Sequence, residues 1–461
     1  MTEYKRKNVW ENLSQDEEEK LESLSKDYMG FLDRAKTERL AASEIVNIAK
    51  DHGYISLDEK IKEGSLKQGD KVYAINKNKA VALFHIGSED LSEGLAIIGA
   101  HLDSPRLDLK PVPLKEDGSL AYLKTHYYGG VKKYHWANIP LSLHGVVFTK
   151  DGKKVDIHIG DREDEPVFFI SELLIHLSKD LMQKPAKDVI SGEQLSIIVG
   201  NRPLKDEKEN PVKKNILKIL NEKYKIEEED FISAELEIVP SGNTREVGFD
   251  KSMIASHGHD DRVCSYAALR ALLEIENPKR SQVGLFVDKE EIGSVGATGM
   301  TSQFFENTLL ELMHLKEEGS FLDFKRALKN SKVLSADVTL AFDPNFPDAT
   351  EDLNTAKLSH GVSLTKYTGA GGKSGSNDAD AEYLSKIRLA FDKEGVIFQT
   401  GELGKVDQGG GGTIAYILAE YGMDVVDCGT PVLSMHAPIE LISKADLYST
   451  FTAYKAFYKN I

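Results

Sequence analysis

Along residues 14–52 the apolar positions Leu21, Leu24, Tyr28, Phe31, Leu32 and Ala35 recur at three- and four-residue steps with charges between them, which predicts helix. The acidic run at 16–19 opens that segment, where carboxylates suit the helix dipole and face solvent. Downstream, the pattern alternates between short apolar runs and longer amphipathic ones. Residues 94–100 and 283–287 read as buried strands and 333–336 as a third, while 266–275, 304–315, 378–391 and 413–421 read as helices. Strands alternating with helices of this length predict an α/β fold with a mainly parallel sheet sandwiched by helices. Between 107 and 247 the texture changes to short β-rich runs at 146–148, 154–159 and 195–199, with a charged stretch at 203–230. The expected organisation is an α/β domain built from 1–106 and 248–461, interrupted by an inserted β-rich domain at 107–247.

Composition narrows the partners more than the fold. The chain has 461 residues, 41% hydrophobic and 29% charged, enough apolar content for two or three packed cores. Its 58 Lys and Arg against 74 Asp and Glu leave a net charge of -16, which disfavours nucleic acid or an anionic membrane as the main partner. Cys264 and Cys428 allow at most one disulfide, so a reducing compartment is the simpler expectation. The N-terminal segment lacks the apolar core of a signal peptide, and no run approaches the roughly 18 apolar residues of a spanning helix. The expected location is cytoplasmic.

The residues that carry chemistry share one context: an acid or an imidazole directly after an apolar run. Sites of open α/β sheets lie at the carboxyl ends of strands, so such residues can converge from several strands. His101 and Asp103 follow the first buried strand, and Asp103 is placed to accept the second imidazole N–H of His101. Asp260 lies in the run His-Gly-His-Asp-Asp-Arg at 257–262, ahead of a helix, where the alternative role of an Asp is an N-cap. Glu290 and Glu291 follow the second buried strand, and the turn expected at Gly293 can bring both toward one site. Desolvating two like charges together is costly unless cations balance them. Asp337 closes the third strand, and His436 stands between Met435 and Ala437. Two imidazoles and three carboxylates (His101, Asp260, Glu291, Asp337, His436), one carboxylate bridging, supply three ligands to each of two metal ions and leave room for water or substrate. Mixed nitrogen and oxygen donors favour zinc, with manganese or cobalt as substitutes. Glu290 then remains as general base.

With those residues the chain resembles the aspartyl aminopeptidases, including the vacuolar aminopeptidase I type, among the dinuclear zinc exopeptidases. The resemblance rests on AHLDSPRLDLKP at 100–111, the region 127–136, HDDRVCS at 259–265, EEIGSVGATG at 290–299, SADVTLAFDPN at 335–345, HGVSLTK at 360–366 and MHAPIE at 435–440. It implies that His101 and Asp337 are terminal ligands of one zinc, Glu291 and His436 of the other, and Asp260 the bridge. Glu290 corresponds to the general base, and Asp103 to the aspartate that orients the first histidine. Lys366 corresponds to a lysine that faces an acidic first side chain of the substrate in acid-preferring members. The resemblance also implies the inserted β-rich domain, with dimerisation and substrate-cleft roles, and a homododecamer built from dimers. Three positions depart from the pattern: two histidines that follow the SAD motif in some members correspond to Leu340 and Asp343, and one contributed to a neighbour's site corresponds to Glu172.

The expected function is a metal-dependent aminopeptidase that removes the N-terminal residue of peptides, with a possible preference for Asp or Glu. The same two-metal chemistry also serves a carboxypeptidase or an N-acyl amino acid deacylase, which a need for a free α-amine separates. A non-hydrolytic scaffold would have no use for an acid such as Glu290 beside metal ligands. A glycosidase using Glu290 and Glu291 would need Glu291 free of metal. The glycine-rich loops at 369–376 and 408–412 do not fit a phosphate-binding loop and read instead as backbone of a substrate cleft.

Overall fold

The computed structural model describes residues 3–369 and 371–461; Met1 and Thr2 of the N-terminal segment and Ala370 of the first glycine-rich loop lie outside them. Among the described residues two compact units are present, one formed by 3–103, 244–369, 371–435 and 440–461, the other by 104–243 and 436–439.

The first unit is built on a nine-stranded sheet. Its centre is a parallel block in which Gln282–Val287, Ala96–His101, Lys332–Ser335 and Asp424–Gly429 lie side by side. The flanks are mixed: Ala80–His85 pairs antiparallel with Gln282–Val287, and Val362–Thr365 antiparallel with Asp424–Gly429. The expectation of a mainly parallel sheet therefore describes the centre, and the whole is a mixed sheet. Alternate residues of the central strands enter different cores, because successive side chains of a strand point to opposite faces. Ile98, Ala100 and Phe286 join the cluster formed with the helices His259–Leu273 and Lys444–Asn460. Ile97, Val283, Leu285 and Val287 join the cluster formed with Phe304–Leu315 and Phe321–Asn330. Helices thus cover both faces, which is why the strands read as unbroken apolar runs.

The N-terminal segment forms two helices, Gln15–Arg34 and Glu38–Asp51, where the sequence pattern predicts continuous helix. Ser14 and Glu17 cap the first reciprocally, and Thr37 caps the second by accepting from Leu40 N. The apolar spacing continues through the break because both helices feed one core.

The second unit is a six-stranded antiparallel sheet in the order Lys154–Ile159, Leu141–Phe148, Ala234–Pro240, Arg106–Asp117, Leu120–Tyr128, Ile197–Gly200. Leu107, Leu123, Leu143, Ile157 and Ile238 form its core. The charged stretch at 203–230 contains a helix, Pro211–Tyr224, which packs Val212 there. Gly145 is obligatory in this sheet: its φ is 137°, and a Cβ would stand 1.9 Å from the Glu235 carbonyl oxygen.

Among the described residues no helix is long and apolar enough to cross a membrane. Cys264 and Cys428 are buried free thiols.

Candidate metal centre

Three neighbouring parallel strands of the first unit end together and deliver the acidic and imidazole side chains at their carboxyl ends. His101 is the last residue of Ala96–His101, and the pairing runs on as Leu102 N donates to the Val287 carbonyl at 2.8 Å. Asp337 stands two residues beyond Lys332–Ser335. After Gln282–Val287 the chain turns sharply, with Lys289 at φ 69° and Gly293 at φ 95°, around the short turn Glu290–Ile292. Asp260 lies in the first turn of His259–Leu273, whose backbone departs from helical geometry at Asp260 and Asp261.

These segments bring their charged groups together. His101 Nε2 is 3.2 Å from Asp260 Oδ1, 3.9 Å from Asp337 Oδ1 and 4.0 Å from Glu290 Oε2. His101, Asp260 and Asp337 offer ligand atoms that all lie within 4.8 Å of one another, and so do His101, Glu290 and Glu291. His101, Asp103 and Asp260 are buried, whereas Glu290 and Glu291 are half-buried at the turn.

The electrostatics of this cluster call for a cation. Burial raises the Asp337 carboxyl well above its ordinary pKa, and repulsion from Glu290 adds to it, with only His101 pulling substantially the other way. Burial opposes a charge on His101, yet its hydrogen bonds to Asp103 and Asp260 override this and hold its pKa well up. Crowded carboxylates around one imidazole match the nitrogen and oxygen donors that zinc takes, so the residues present fit the metal.

Asp103 approaches the His101 ring with two of its atoms. His101 Nδ1 lies 2.9 Å from Asp103's own carbonyl oxygen and 3.4 Å from its carboxylate. The carboxylate oxygens accept the backbone N–H groups of Glu290 at 3.1 Å and of Glu291 at 3.2 Å. Asp103 thus meets His101 through both its backbone carbonyl and its carboxylate, and the carboxylate also holds the Glu290–Glu291 turn.

Several supporting residues were not singled out by the sequence. Asp261 Oδ2 accepts the His101 N–H at 3.3 Å, Ser265 Oγ donates to the His101 carbonyl at 2.9 Å, and Glu440 Oε2 accepts the Asp260 N–H at 3.0 Å. Asp288, buried beside the turn, is pushed up to about 6 by burial first and then by Glu38 and Asp103. Asp261, Ser265 and Glu440 fall inside the HDDRVCS and MHAPIE motifs, so membership of a motif was the available signal; Asp288 had only its position after a buried strand.

Two further predicted residues come from other segments of the chain. His436 groups with the second unit, where its Nδ1 is 3.0 Å from the Gly130 carbonyl oxygen. Lys366 follows Val362–Thr365, whose register sets Thr365 opposite Asp427, itself opposite Ser335. Lys366 thus begins below the level of Asp337 and lines a cavity of about 620 Å³ with Leu364, Arg388 and Phe398. The glycine-rich loops meet where Gly369 N donates to the Gly411 carbonyl at 3.2 Å.

Comparison with known proteins agrees with this geometry. Residues 31–458 match the family described as aminopeptidase I zinc metalloprotease (M18). The chain is 51% identical over 456 residues to the "Probable M18 family aminopeptidase 1" of Clostridium acetobutylicum, covering 98% of each. The crystal structure of the M18 aminopeptidase from Thermotoga maritima superposes with a TM-score of 0.95 at 46% identity over 100% of both chains. The structure of the S. cerevisiae mApe1 dodecamer shares the fold, with a TM-score of 0.77 at 22% identity, over 94% of this chain and 96% of that one. A zinc-suited cluster at the strand ends and matches over nearly the full length lead to one conclusion: the chain belongs to peptidase family M18 and is a zinc aminopeptidase, a hydrolase of peptide bonds.

Proposed function

We propose that this aminopeptidase works with two zinc ions per chain and prefers peptides that begin with Asp or Glu. In this reading His101 and Asp337 would hold one zinc, Glu291 and His436 would hold the other, and Asp260 would serve both. Manganese or cobalt would substitute, since the donors are imidazole and carboxylate. When bound, the metal pair acts as Lewis acid toward the scissile carbonyl and acidifies the attacking water. The protein's own residues do the remainder. Glu290 takes the water's proton and passes it to the leaving amine. Asp103 holds Glu290 at the correct height through the backbone N–H, and His101 is kept in one tautomer by the Asp103 carbonyl.

The observation that carries the reading is the convergence of two ligand groups on His101, one with Asp260 and Asp337 and one with Glu290 and Glu291. More carboxylates gather there than one zinc needs, which supports a pair of ions and a spare base. The acidic preference rests on Lys366, a cation suited to a substrate carboxylate. The reading extends to dimerisation and cleft roles for the β-rich domain and to assembly into a homododecamer, the state named for the mApe1 structure that shares the fold.

A panel of chromogenic aminoacyl substrates, free and N-acetylated, run with and without chelator and alongside zinc analysis, tests the reading. Two zincs per chain and hydrolysis only of free amines are expected, with Asp and Glu turned over faster than Leu. Lys366→Met should erase that preference and leave Leu turnover unchanged. One zinc per chain at full activity would overturn the metal assignment, and an unaltered preference in Lys366→Met would overturn the role of Lys366.

A further inference from the structure

The β-rich unit holds a pair of imidazoles that peptide hydrolysis does not use. His144 lies in Leu141–Phe148 and His158 in the edge strand Lys154–Ile159, and the register sets the two directly opposite each other. Opposed residues of an antiparallel pair share a face, and here the two Nδ1 atoms approach to 3.4 Å.

The tautomer open to a neutral His144 follows from its other nitrogen. Nε2 is 3.0 Å from Asp161 Oδ2 and 3.0 Å from Ser142 Oγ. Ser142 Oγ donates its own hydrogen to the Val239 carbonyl at 3.4 Å, and a carboxylate only accepts. Both neighbours of Nε2 are therefore acceptors, so in the neutral ring Nε2 carries the proton and Nδ1 turns a lone pair toward His158. A histidine held from behind by a carboxylate is the arrangement that fixes metal-ligating imidazoles. Half-burial of its ring, and then the adjacent His144, keep His158 below its ordinary pKa of 6.5 although the residue as a whole is exposed, so this ring is largely neutral at pH 7. Asp156, Asp161 and Lys154 are the charged groups around it.

The spacing decides between two uses of this pair. A ring N–H donating to a ring nitrogen prefers about 2.7–3.2 Å, and 3.4 Å is long for that. Two nitrogens 3.4 Å apart, each about 2.0–2.1 Å from a shared ion, subtend an angle of about 110°, the tetrahedral value.

We propose that His144 and His158 form a second, non-catalytic metal site that takes a divalent zinc, nickel or copper ion through both Nδ1 atoms, with Asp161 orienting His144. Water completes the coordination, so the ion exchanges more readily than one held by four protein ligands. The ion would clip the edge strand Lys154–Ile159 to its neighbour, at the margin where a sheet is least secured.

The zinc-loaded enzyme, dialysed against buffered Ni²⁺ and analysed for metal, tests this independently of the catalytic reading. His158 is exposed, so His158→Gln should fold normally and keep full peptidase activity. The native chain should take up one more Ni²⁺ per chain than His158→Gln, and Ni²⁺ should raise the Tm of the native protein alone. Asp161→Asn should weaken the extra site by about 10- to 100-fold. Equal Ni²⁺ uptake by native protein and His158→Gln would overturn the site, and unchanged affinity in Asp161→Asn would overturn the role given to Asp161.

Discussion

The Asp103 carboxylate accepts two backbone N–H groups, from Glu290 and Glu291, and so couples the histidine segment to the turn that carries the proposed base. Glu290→Gln removes the base and keeps a side chain of the same shape. Its expected effect is a kcat lower by about 10²–10⁴-fold at unchanged zinc content, read by steady-state kinetics and metal analysis. Asp103→Asn retains one acceptor and sets an amide NH₂ against a backbone N–H, so the turn shifts. Here kcat should fall at least tenfold while KM changes little. A different residue sets an acid limit on the fold. Burial, and secondarily Lys71, lower His85 to about 4 from an ordinary value of 6.5. The unfolded chain therefore binds a proton that the folded His85 refuses, and stability present above pH 6.5 is lost as pH falls toward 4. That loss is worth up to about 3 kcal/mol, and His85→Gln should lose correspondingly less Tm over the same pH range than the native protein.

At the scale of elements, strand ends must come close without side chains between them. Gly429 closes Asp424–Gly429, and a Cβ there would stand 1.7 Å from the Asp337 carbonyl oxygen. Gly429→Ala is expected to push the Asp337 segment outward, lowering both zinc occupancy and Tm, which metal analysis and calorimetry would detect together. Such a requirement could not be read from the sequence, because Gly429 and Asp337 are far apart along the chain and meet only through sheet order. The central strands were legible for the opposite reason: burial on both faces leaves a continuous apolar run. The break between Gln15–Arg34 and Glu38–Asp51 was hidden because Thr37, a good N-cap, interrupts no hydrophobic step. The helix Pro211–Tyr224 was likewise obscured by the lysines on its outer face, although Pro211 at its first position is a start signal.

At the scale of the whole molecule, metal and fold are linked. The clustered carboxylates repel one another when the cation is withdrawn, so chelation should lower Tm, and added zinc should restore it. With free zinc at a thousandfold excess over Kd the linkage amounts to about 4 kcal/mol. The sequence by itself determined the α/β alternation, the change to β-rich texture near residue 107 and the set of candidate metal ligands, because each is a local pattern of polarity or an acid placed after an apolar run. Only the tertiary structure decided the mixed flanks of the nine-stranded sheet and the assignment of His436 to the second unit. It also decided how Asp103 divides its oxygens between His101 and the Glu290–Glu291 turn, and the approach of His144 to His158. All of these depend on strand order and register, which bring residues distant in the chain within a few ångströms, and periodicity along one strand carries no record of which strand will lie beside it.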